Sequence, residues 1–172
     1  MNKIFLLGYM GSGKSTIAKL LAEKSGVAYK DLDHLIENEA NLSVANIFRQ
    51  KGEIYFRKLE HQIFKQMVAS DESFVLSLGG GTPCYANNHE LLQTSGVLAV
   101  YLKASVAELH LRLKRNRRNR PLIADMPDKE LMEFIAKHLF ERSFFYHKAS
   151  HVVDVDGKSP ETIADEISKL LG

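Results

Sequence analysis

The feature that most constrains the fold of this chain is the segment GYMGSGKS at residues 8–15, which lies between a short apolar run and a helical pattern. It matches the phosphate-binding loop, or P-loop, in which backbone N–H groups and a helix N-terminus surround phosphate oxygens. Lys14 would reach the outer phosphates and the Ser15 hydroxyl could ligate Mg²⁺, whereas a plain glycine-rich turn would not need this order of strand, loop and helix. The sequence therefore predicts a nucleoside triphosphate site. The expected phosphate contacts are Gly11, Ser12, Gly13, Lys14, Ser15 and Thr16.

Length and composition limit the chain to one domain. Its 172 residues, 45% of them hydrophobic, suffice for a single well-buried core and are too few for two ordinary domains. The formal net charge of +2 gives no overall field that favours nucleic acid or a membrane surface. A single cysteine, Cys84, cannot form an intramolecular disulfide, which suits a reducing compartment. We expect a cytoplasmic monomer, residues 1–172, with neither nucleic-acid nor membrane partners.

Short β-branched or apolar runs alternate with longer helical patterns along the chain. The predicted strands are 4–7, 28–31, 74–78, 97–102 and 151–155. The predicted helices are 14–25, 35–50, 54–69, 89–94, 106–117, 129–147 and 160–171. This alternation predicts an α/β fold, a parallel sheet with helices on both faces. Because ligands of such sheets bind beyond the carboxyl ends of the strands, residues that follow each strand are candidate site residues.

Two carboxylates follow the second predicted strand. In an extended segment, Asp31 and Asp33 would point the same way, toward the mouth of the sheet. They could hold Mg²⁺, usually through water, or accept a proton from an attacking hydroxyl group, and helix capping is the alternative. The third strand lacks the terminal acid with which many P-loop enzymes bind metal, and Asp31 could supply that carboxylate.

The triple glycine and two arginine-containing segments are candidates for binding a substrate. Gly79–Gly81 ends the third strand, where we expect the backbone to approach a ligand more closely than a side chain would allow, although a tight turn is possible. Arg57 and Glu60 are neighbours on a helix, either as a surface ion pair or as a guanidinium oriented toward an anion. Arg142, with Tyr146 one turn later, presents the same two alternatives.

A basic stretch precedes Pro121, and it is the only local concentration of charge. Nucleic acid could bind such a stretch, but no aromatic residues are interleaved to stack on bases. A mobile lid explains it better, because a lid would exclude water and bring an arginine to the phosphoryl group in transfer. The seven histidines show no metal-ligand spacing, so we interpret them as solvated or core residues. The basic residues are Arg112, Lys114, Arg115, Arg117, Arg118 and Arg120.

In order and spacing, the motifs together resemble those of the shikimate kinases over essentially the whole chain. They are GYMGSGKS at 8–15, DLD at 31–33, FRKLE at 56–60, GGG at 79–81, RPL at 120–122, and Arg142 with Tyr146. The resemblance implies a three-layer P-loop kinase fold with a five-stranded parallel sheet in the order 2-3-1-4-5. It also implies a substrate-binding subregion near 32–61 and a mobile lid near 112–126. The implied reaction moves the γ-phosphoryl group of ATP to the 3-hydroxyl of shikimate, on the chorismate route to aromatic amino acids.

The resemblance also implies roles for individual residues on the substrate side. Asp33 corresponds to the acid that binds the shikimate hydroxyl groups and is proposed as the base. Arg57 and Arg142 correspond to a clamp for the shikimate carboxylate, in which Glu60 steadies Arg57. The backbone of Gly79, Gly80 and Gly81 corresponds to the loop that approaches the substrate.

On the nucleotide side, the resemblance assigns Mg²⁺ to Ser15 and Asp31. Arg120 corresponds to the lid arginine that reaches both phosphate and substrate, so Lys14, Asp33 and Arg120 are the expected catalytic residues. An arginine of the same stretch would stack on adenine. The dense basic run leaves its register open between Arg112, which we prefer, and Arg115.

Other functions fit parts of the sequence. A gluconate kinase or a nucleoside monophosphate kinase would also use a P-loop. Two arginines and an aspartate do not exclude a gluconate kinase, which also binds a carboxylated polyol, but the triple glycine and FRKLE argue against it. A GTP-binding switch would carry an Asn-Lys-x-Asp segment, which the sequence lacks. A nucleic-acid-binding protein would need more than one isolated basic run.

Overall fold

The fold is organised around one parallel sheet. The computed structural model describes residues 3–172, and five strands in it form a sheet whose order, with the strands numbered along the chain, is 2-3-1-4-5. All four strand pairings are parallel, so the predicted sheet and its strand order are confirmed. The strands are β1 (Lys3–Leu7), β2 (Ala28–Asp31), β3 (Phe74–Ser77), β4 (Val97–Lys103) and β5 (His151–Asp154).

Helices connect the strands and surround the sheet. The connection between β2 and β3 holds two of them, and the second, Val44–Ala69, is interrupted at Gly52, whose backbone is not helical (φ 84°, ψ 171°). The long connection between β4 and β5 contains two helices, Val106–Asn116 and Asp128–Tyr146, which pack on each other. The helices are α1 (Lys14–Ser25), α2 (Leu32–Ala40), α3 (Val44–Ala69), α4 (Asn88–Leu91), α5 (Val106–Asn116), α6 (Asp128–Tyr146) and α7 (Pro160–Lys169).

One predicted helix, 35–50, is wrong. The chain leaves the helical conformation after Ala40, because Asn41 adopts the left-handed conformation (φ 53°) and ends α2. A new helix then starts at Val44, where the Ser43 side chain accepts a hydrogen bond from the backbone N–H of Asn46. Asparagine tolerates the left-handed region and serine is a favoured N-cap, so local chemistry overrides the apolar periodicity that joins the two helices.

The sheet forms the centre of the core and also aligns the ends of its strands. Residues 4–7 of β1 are buried, and Phe5 packs against Phe64 and Phe74 with ring centroids 5.5 and 6.2 Å away. Ser77 of β3 pairs with Leu6 on one side and with Asp31 on the other. The P-loop, Ser77 and Asp31 therefore meet at one edge of the sheet. Within residues 3–172, no helix has both the length and the apolar character required to cross a bilayer.

Candidate active site

A cavity of about 420 Å³ lies at the carboxyl edge of the sheet. It brings together the P-loop, the second strand end, the triple glycine and the basic stretch, as the alternation of strands and helices predicts. Its walls hold the predicted residues Lys14, Asp33 and Arg120. The other lining residues are Met10, Gly11, Gly13, Ser15, Thr16, Asp31, Ser77, Leu78, Gly79, Gly80 and Asn116.

The P-loop presents the N-terminus of α1 to this cavity. Gly13 precedes α1 with φ 96°, a conformation that glycine adopts without strain, and no described side chain caps the helix. The Lys14 ammonium folds back and donates hydrogen bonds to the carbonyl oxygens of Gly8 (2.8 Å) and Tyr9 (3.1 Å). Burial lowers the pKa of Lys14 to about 8, and the nearby Asp33 carboxylate partly opposes that shift. Free N–H groups and a desolvated cation together favour a phosphate group.

Asp31 and Asp33 both line the cavity, but from the start of a helix and not from the predicted extended segment. Asp31 is the last residue of β2 and also the N-cap of α2, because its Oδ1 accepts a hydrogen bond from the backbone N–H of His34 (3.0 Å). Asp33 lies in the first helical turn, so the expectation of an extended Asp31–Asp33 segment is wrong. The capping alternative holds for Asp31, yet both side chains still line the cavity. The Tyr29 hydroxyl donates a further hydrogen bond to Asp31 Oδ2 (3.3 Å).

The carboxyl group of Asp33 has a strongly shifted pKa. Burial raises its pKa to about 6, and the negative charges of Asp31 and Glu60 add to the shift, while Lys14 opposes it. A carboxyl group with this pKa is largely ionised at neutral pH. Because its pKa lies close to neutral pH, it can also accept a proton during a reaction. Its placement beside Lys14 and Gly79 is therefore suited to acid–base chemistry.

The triple glycine is the point at which three predicted substrate residues converge. A Cβ atom on Gly79 would lie 3.2 Å from Asp33 Oδ1, and one on Gly80 would lie 3.0 Å from Arg142 Nη1. A Cβ atom on Gly81 would lie only 2.8 Å from Arg57 Nη2. None of the three glycines has a positive φ, so space rather than backbone conformation requires glycine here. The charged side chains of the site itself occupy the room that a Cβ would fill.

Arg57 is held in a fixed orientation from α3. Its Nη1 donates to Glu60 Oε1 (2.8 Å), which confirms that the two residues are side by side, and its guanidinium stacks on the Tyr85 ring 3.9 Å from the centroid. Glu60 is only 1% exposed, so this is not a surface ion pair. No described residue accepts a hydrogen bond from Arg57 Nε. The guanidinium also borders a second groove of about 560 Å³, not the P-loop cavity.

Arg142 and Tyr146 approach the same glycines from α6. The Tyr146 hydroxyl donates to the carbonyl oxygen of Gly80 (2.6 Å), and burial raises the pKa of this phenol well above its usual value. Arg142 lies over the ring of Tyr9, 5.8 Å from the centroid. Neither arginine of the predicted clamp lines the P-loop cavity itself, so the two converge on the triple glycine from beside that cavity.

Some residues of the basic stretch face the cavity, and others form ion pairs that join the stretch to the start of α6. Half-buried Arg120 faces the cavity, whereas Lys114 and Arg117 form ion pairs with Asp128 at the start of α6, at 2.7 and 3.0 Å. Arg112 donates from Nη1 to the carbonyl oxygen of Gly11 (3.2 Å) and pairs with Glu108. Arg112 therefore lies against the P-loop, while Arg115 is exposed.

Several site residues escaped prediction from the sequence. Tyr9 is buried within the P-loop, and its hydroxyl group forms a hydrogen bond with His138 Nδ1 (3.0 Å). His138 therefore contacts a residue of the P-loop. Asn116 lines the cavity, and Thr82 contacts Glu60 behind the triple glycine. Only the adjacency of Thr82 to Gly79–Gly81 could have drawn attention to it, because burial is not visible in the sequence.

Comparisons with known proteins identify the family. Residues 10–171 match the family model described as shikimate kinase. A shikimate kinase of Flavobacterium johnsoniae is 54% identical over 171 residues, 99% of each chain. The crystal structure of a Bacteroides thetaiotaomicron shikimate kinase superposes with a TM-score of 0.90 at 34% identity, over 99% of this chain and 98% of that one.

A second solved structure is the shikimate kinase of Acinetobacter baumannii in complex with shikimate. It superposes with a TM-score of 0.85 at 29% identity, over 99% of this chain and 93% of that chain. The matches extend over the P-loop, the triple glycine and the basic stretch alike. With its P-loop cavity and the arginines that converge on the triple glycine, this chain therefore belongs to the shikimate kinase family.

Proposed function

We propose that this chain transfers the γ-phosphoryl group of ATP to the 3-hydroxyl group of shikimate, giving shikimate 3-phosphate and ADP. The observation that supports this most is the convergence of Asp33, Arg57 and Arg142 on Gly79–Gly81, at the edge of a P-loop cavity. One carboxylate and two guanidinium groups around a bare backbone suit a small molecule that has hydroxyl groups and one carboxylate.

The substrate carboxylate is bound by Arg57 and Arg142. Arg57 enters the site already oriented by Glu60 and Tyr85, so little side-chain entropy is lost when it binds an anion. Arg142 is held near Gly80, on the same helix as Tyr146. Asp33 accepts hydrogen bonds from the hydroxyl groups at the opposite end of the substrate, facing Lys14.

The nucleotide phosphates bind at Gly11–Thr16. The N–H groups at the start of α1 and the Lys14 ammonium surround them, and Arg120 approaches from the lid. Arg112 is the adenine-stacking residue that we favour over Arg115, because Arg112 already lies against Gly11.

The residues present fit Mg²⁺, which prefers oxygen ligands. The Ser15 hydroxyl and the Asp31 carboxylate face the cavity beside Lys14, and Tyr29 and the His34 N–H hold the carboxylate in place. When bound, Mg²⁺ neutralises charge on the phosphate oxygens. Ser15 and Asp31 are the residues that would hold it.

Catalysis by the residues of this chain rests on positioning more than on early deprotonation. In a loose phosphoryl-transfer transition state the nucleophile bonds late, so Asp33 orients the hydroxyl and takes its proton as the bond forms. Lys14 and Arg120 stabilise the charge of the phosphoryl group in transfer. Residues 112–126 close over the cavity as a lid, and 32–61 form the substrate-binding subregion. We further propose that the protein acts as a cytoplasmic monomer.

A parallel substrate assay tests the proposal. ADP release from Mg-ATP is followed with shikimate, gluconate and nucleoside monophosphates in separate wells, together with a well that lacks an acceptor. We expect turnover with shikimate alone. Turnover with gluconate or a nucleotide, and none with shikimate, would assign the chain to another small-molecule kinase.

A further inference from the structure

A buried hydrogen-bond network extends from the Arg57 guanidinium to α4. Arg57 Nη1 donates to Glu60 Oε1 (2.8 Å), and the Thr82 hydroxyl donates to the other carboxylate oxygen, Oε2 (2.9 Å). The Asn88 side-chain amide donates to the carbonyl oxygen of Thr82 (2.9 Å), and His61 Nδ1 lies 2.6 Å from Asn88 Oδ1.

The network is more deeply buried than an ordinary turn would require. Apart from tyrosines, five polar or charged residues are buried in residues 3–172, and three of them, Glu60, Thr82 and Asn88, belong to the network. A buried carboxylate is costly unless its oxygens are hydrogen-bonded, and a carboxylate can only accept. The Thr82 hydroxyl must therefore donate to Glu60, and that bond fixes the rotation of the carboxylate that orients Arg57.

The backbone of Thr82 links this network to the triple glycine. Its N–H donates to the carbonyl oxygen of Gly79 (3.1 Å), and its hydroxyl would lie 3.0 Å from a Cβ on that glycine. Asn88 holds the other end of the same turn through the Thr82 carbonyl. Thr82 and Asn88 therefore stabilise the turn that places Gly81 beside the Arg57 guanidinium, and Thr82 also holds the Glu60 carboxylate.

We propose that Thr82, anchored by Asn88, is a positioning residue for recognition of the substrate carboxylate and acts on Arg57 through Glu60. This assignment deepens the proposed function and rests on it. Thr82 is completely buried, so its proposed effect is indirect: it holds the guanidinium in the plane that a carboxylate can engage.

The test compares shikimate with its methyl ester, which lacks the anionic carboxylate. We expect Thr82→Val, which keeps the shape and removes the hydroxyl, to raise the shikimate Kd about tenfold, or about 1.4 kcal/mol, and to leave the Mg-ADP Kd unchanged. The ratio of ester Kd to shikimate Kd should fall about five- to tenfold, because only the acid uses the oriented guanidinium. Thr82→Ser keeps the hydroxyl and should restore both values to within about twofold of wild type.

A matched control separates positioning from general destabilisation. Ser159→Ala removes the N-cap of α7, where Ser159 Oγ accepts the Thr162 N–H (3.1 Å), so it should lower the melting temperature and leave the ester-to-acid ratio unchanged. If Thr82→Val does not fold, Thr82→Cys replaces it, since a thiol is only a weak donor. An unchanged ratio in the folded variant, or an equal weakening of Mg-ADP, overturns the assignment of Thr82 alone. Failure of the wild type to bind shikimate overturns the proposed function as well.

Discussion

Replacing Gly81 with alanine tests the carboxylate clamp without changing any charge. The new Cβ would lie 2.8, 3.0 and 3.2 Å from Arg57 Nη2, Nη1 and Cζ. Gly81 has φ −93° and ψ −10°, a conformation that alanine accepts, so the backbone is not strained. The clash falls on the end of a long side chain, and the protein should therefore fold normally while the guanidinium moves.

The size of the effect follows from that displacement. Ordinary carbon contacts begin near 3.5 Å, so a group that now lies 2.8 Å from the new Cβ must move by about 0.7 Å. Misplacement of a binding group by about 1 Å can cost roughly 100-fold, and a hydrogen bond to a charged group contributes about 1.5–3 kcal/mol. We therefore predict that Gly81→Ala raises the shikimate Kd by about 10- to 100-fold, or about 1.4–2.7 kcal/mol.

Isothermal titration calorimetry with shikimate and with Mg-ADP measures both sites. Gly26→Ala is the control, because Gly26 ends α1 with φ 65° and has nothing within 4 Å of its Cβ position. The control should lose about 1–2 kcal/mol of unfolding free energy through backbone strain and keep its shikimate affinity. Gly81→Ala should show the opposite pattern. Wild-type shikimate affinity in Gly81→Ala, or equal weakening of Mg-ADP, would refute the assignment of Arg57 to the clamp.

The remaining predictions concern two other residues of the site, Asp33 and Arg142, and Cys84, which lies three residues after the triple glycine. Asp33→Asn should lower kcat by at least about 100-fold through lost orientation and lost proton acceptance, and near-normal turnover would remove Asp33 from the mechanism. Arg142→Ala should weaken shikimate binding by about 2–5 kcal/mol, so an unchanged Michaelis constant would contradict its role. Burial raises the pKa of Cys84 to about 11, so at pH 8 iodoacetamide should alkylate it roughly 100-fold more slowly than a free thiol. The alkylation rate should increase as the pH rises toward 11. A rate that levels off near pH 8.5 would contradict this shift.

Much of the fold could be predicted because its signals are local. The predicted bounds of all five strands lie within one residue of the observed bounds, since most of the strands are short runs of apolar residues. The predicted bounds of α1, 14–25, match the observed ones, because a P-loop determines where the helix starts and Gly26 where it ends. Apolar periodicity does not predict the break between α2 and α3, because the spacing of apolar residues continues through Asn41 and Ser43.

The sequence predicts which residues belong to the site more readily than it predicts how they contact one another. The spacing of Arg57 and Glu60 predicts their contact correctly, since three residues along a helix place side chains together. The triple glycine predicts a close approach to the backbone but not what approaches it. The space beside the three Cα atoms holds the side chains of Asp33, Arg57 and Arg142, which come from distant parts of the chain. Thr82 could have been noticed only because it follows the triple glycine, and Asn88 has no such sequence signal, because the importance of both residues depends on burial that only the folded chain creates.

Identification of the phosphorylated hydroxyl tests the central claim most directly. Shikimate is incubated with the protein and Mg-ATP, and proton–phosphorus correlation NMR assigns the carbon that bears the new phosphate. Because Arg57 and Arg142 hold one end of the substrate and Asp33 the other, we predict a single product, phosphorylated at the 3-hydroxyl. A phosphate on another hydroxyl group, a mixture of products, or ADP release without phosphorylated shikimate would contradict this arrangement of the site.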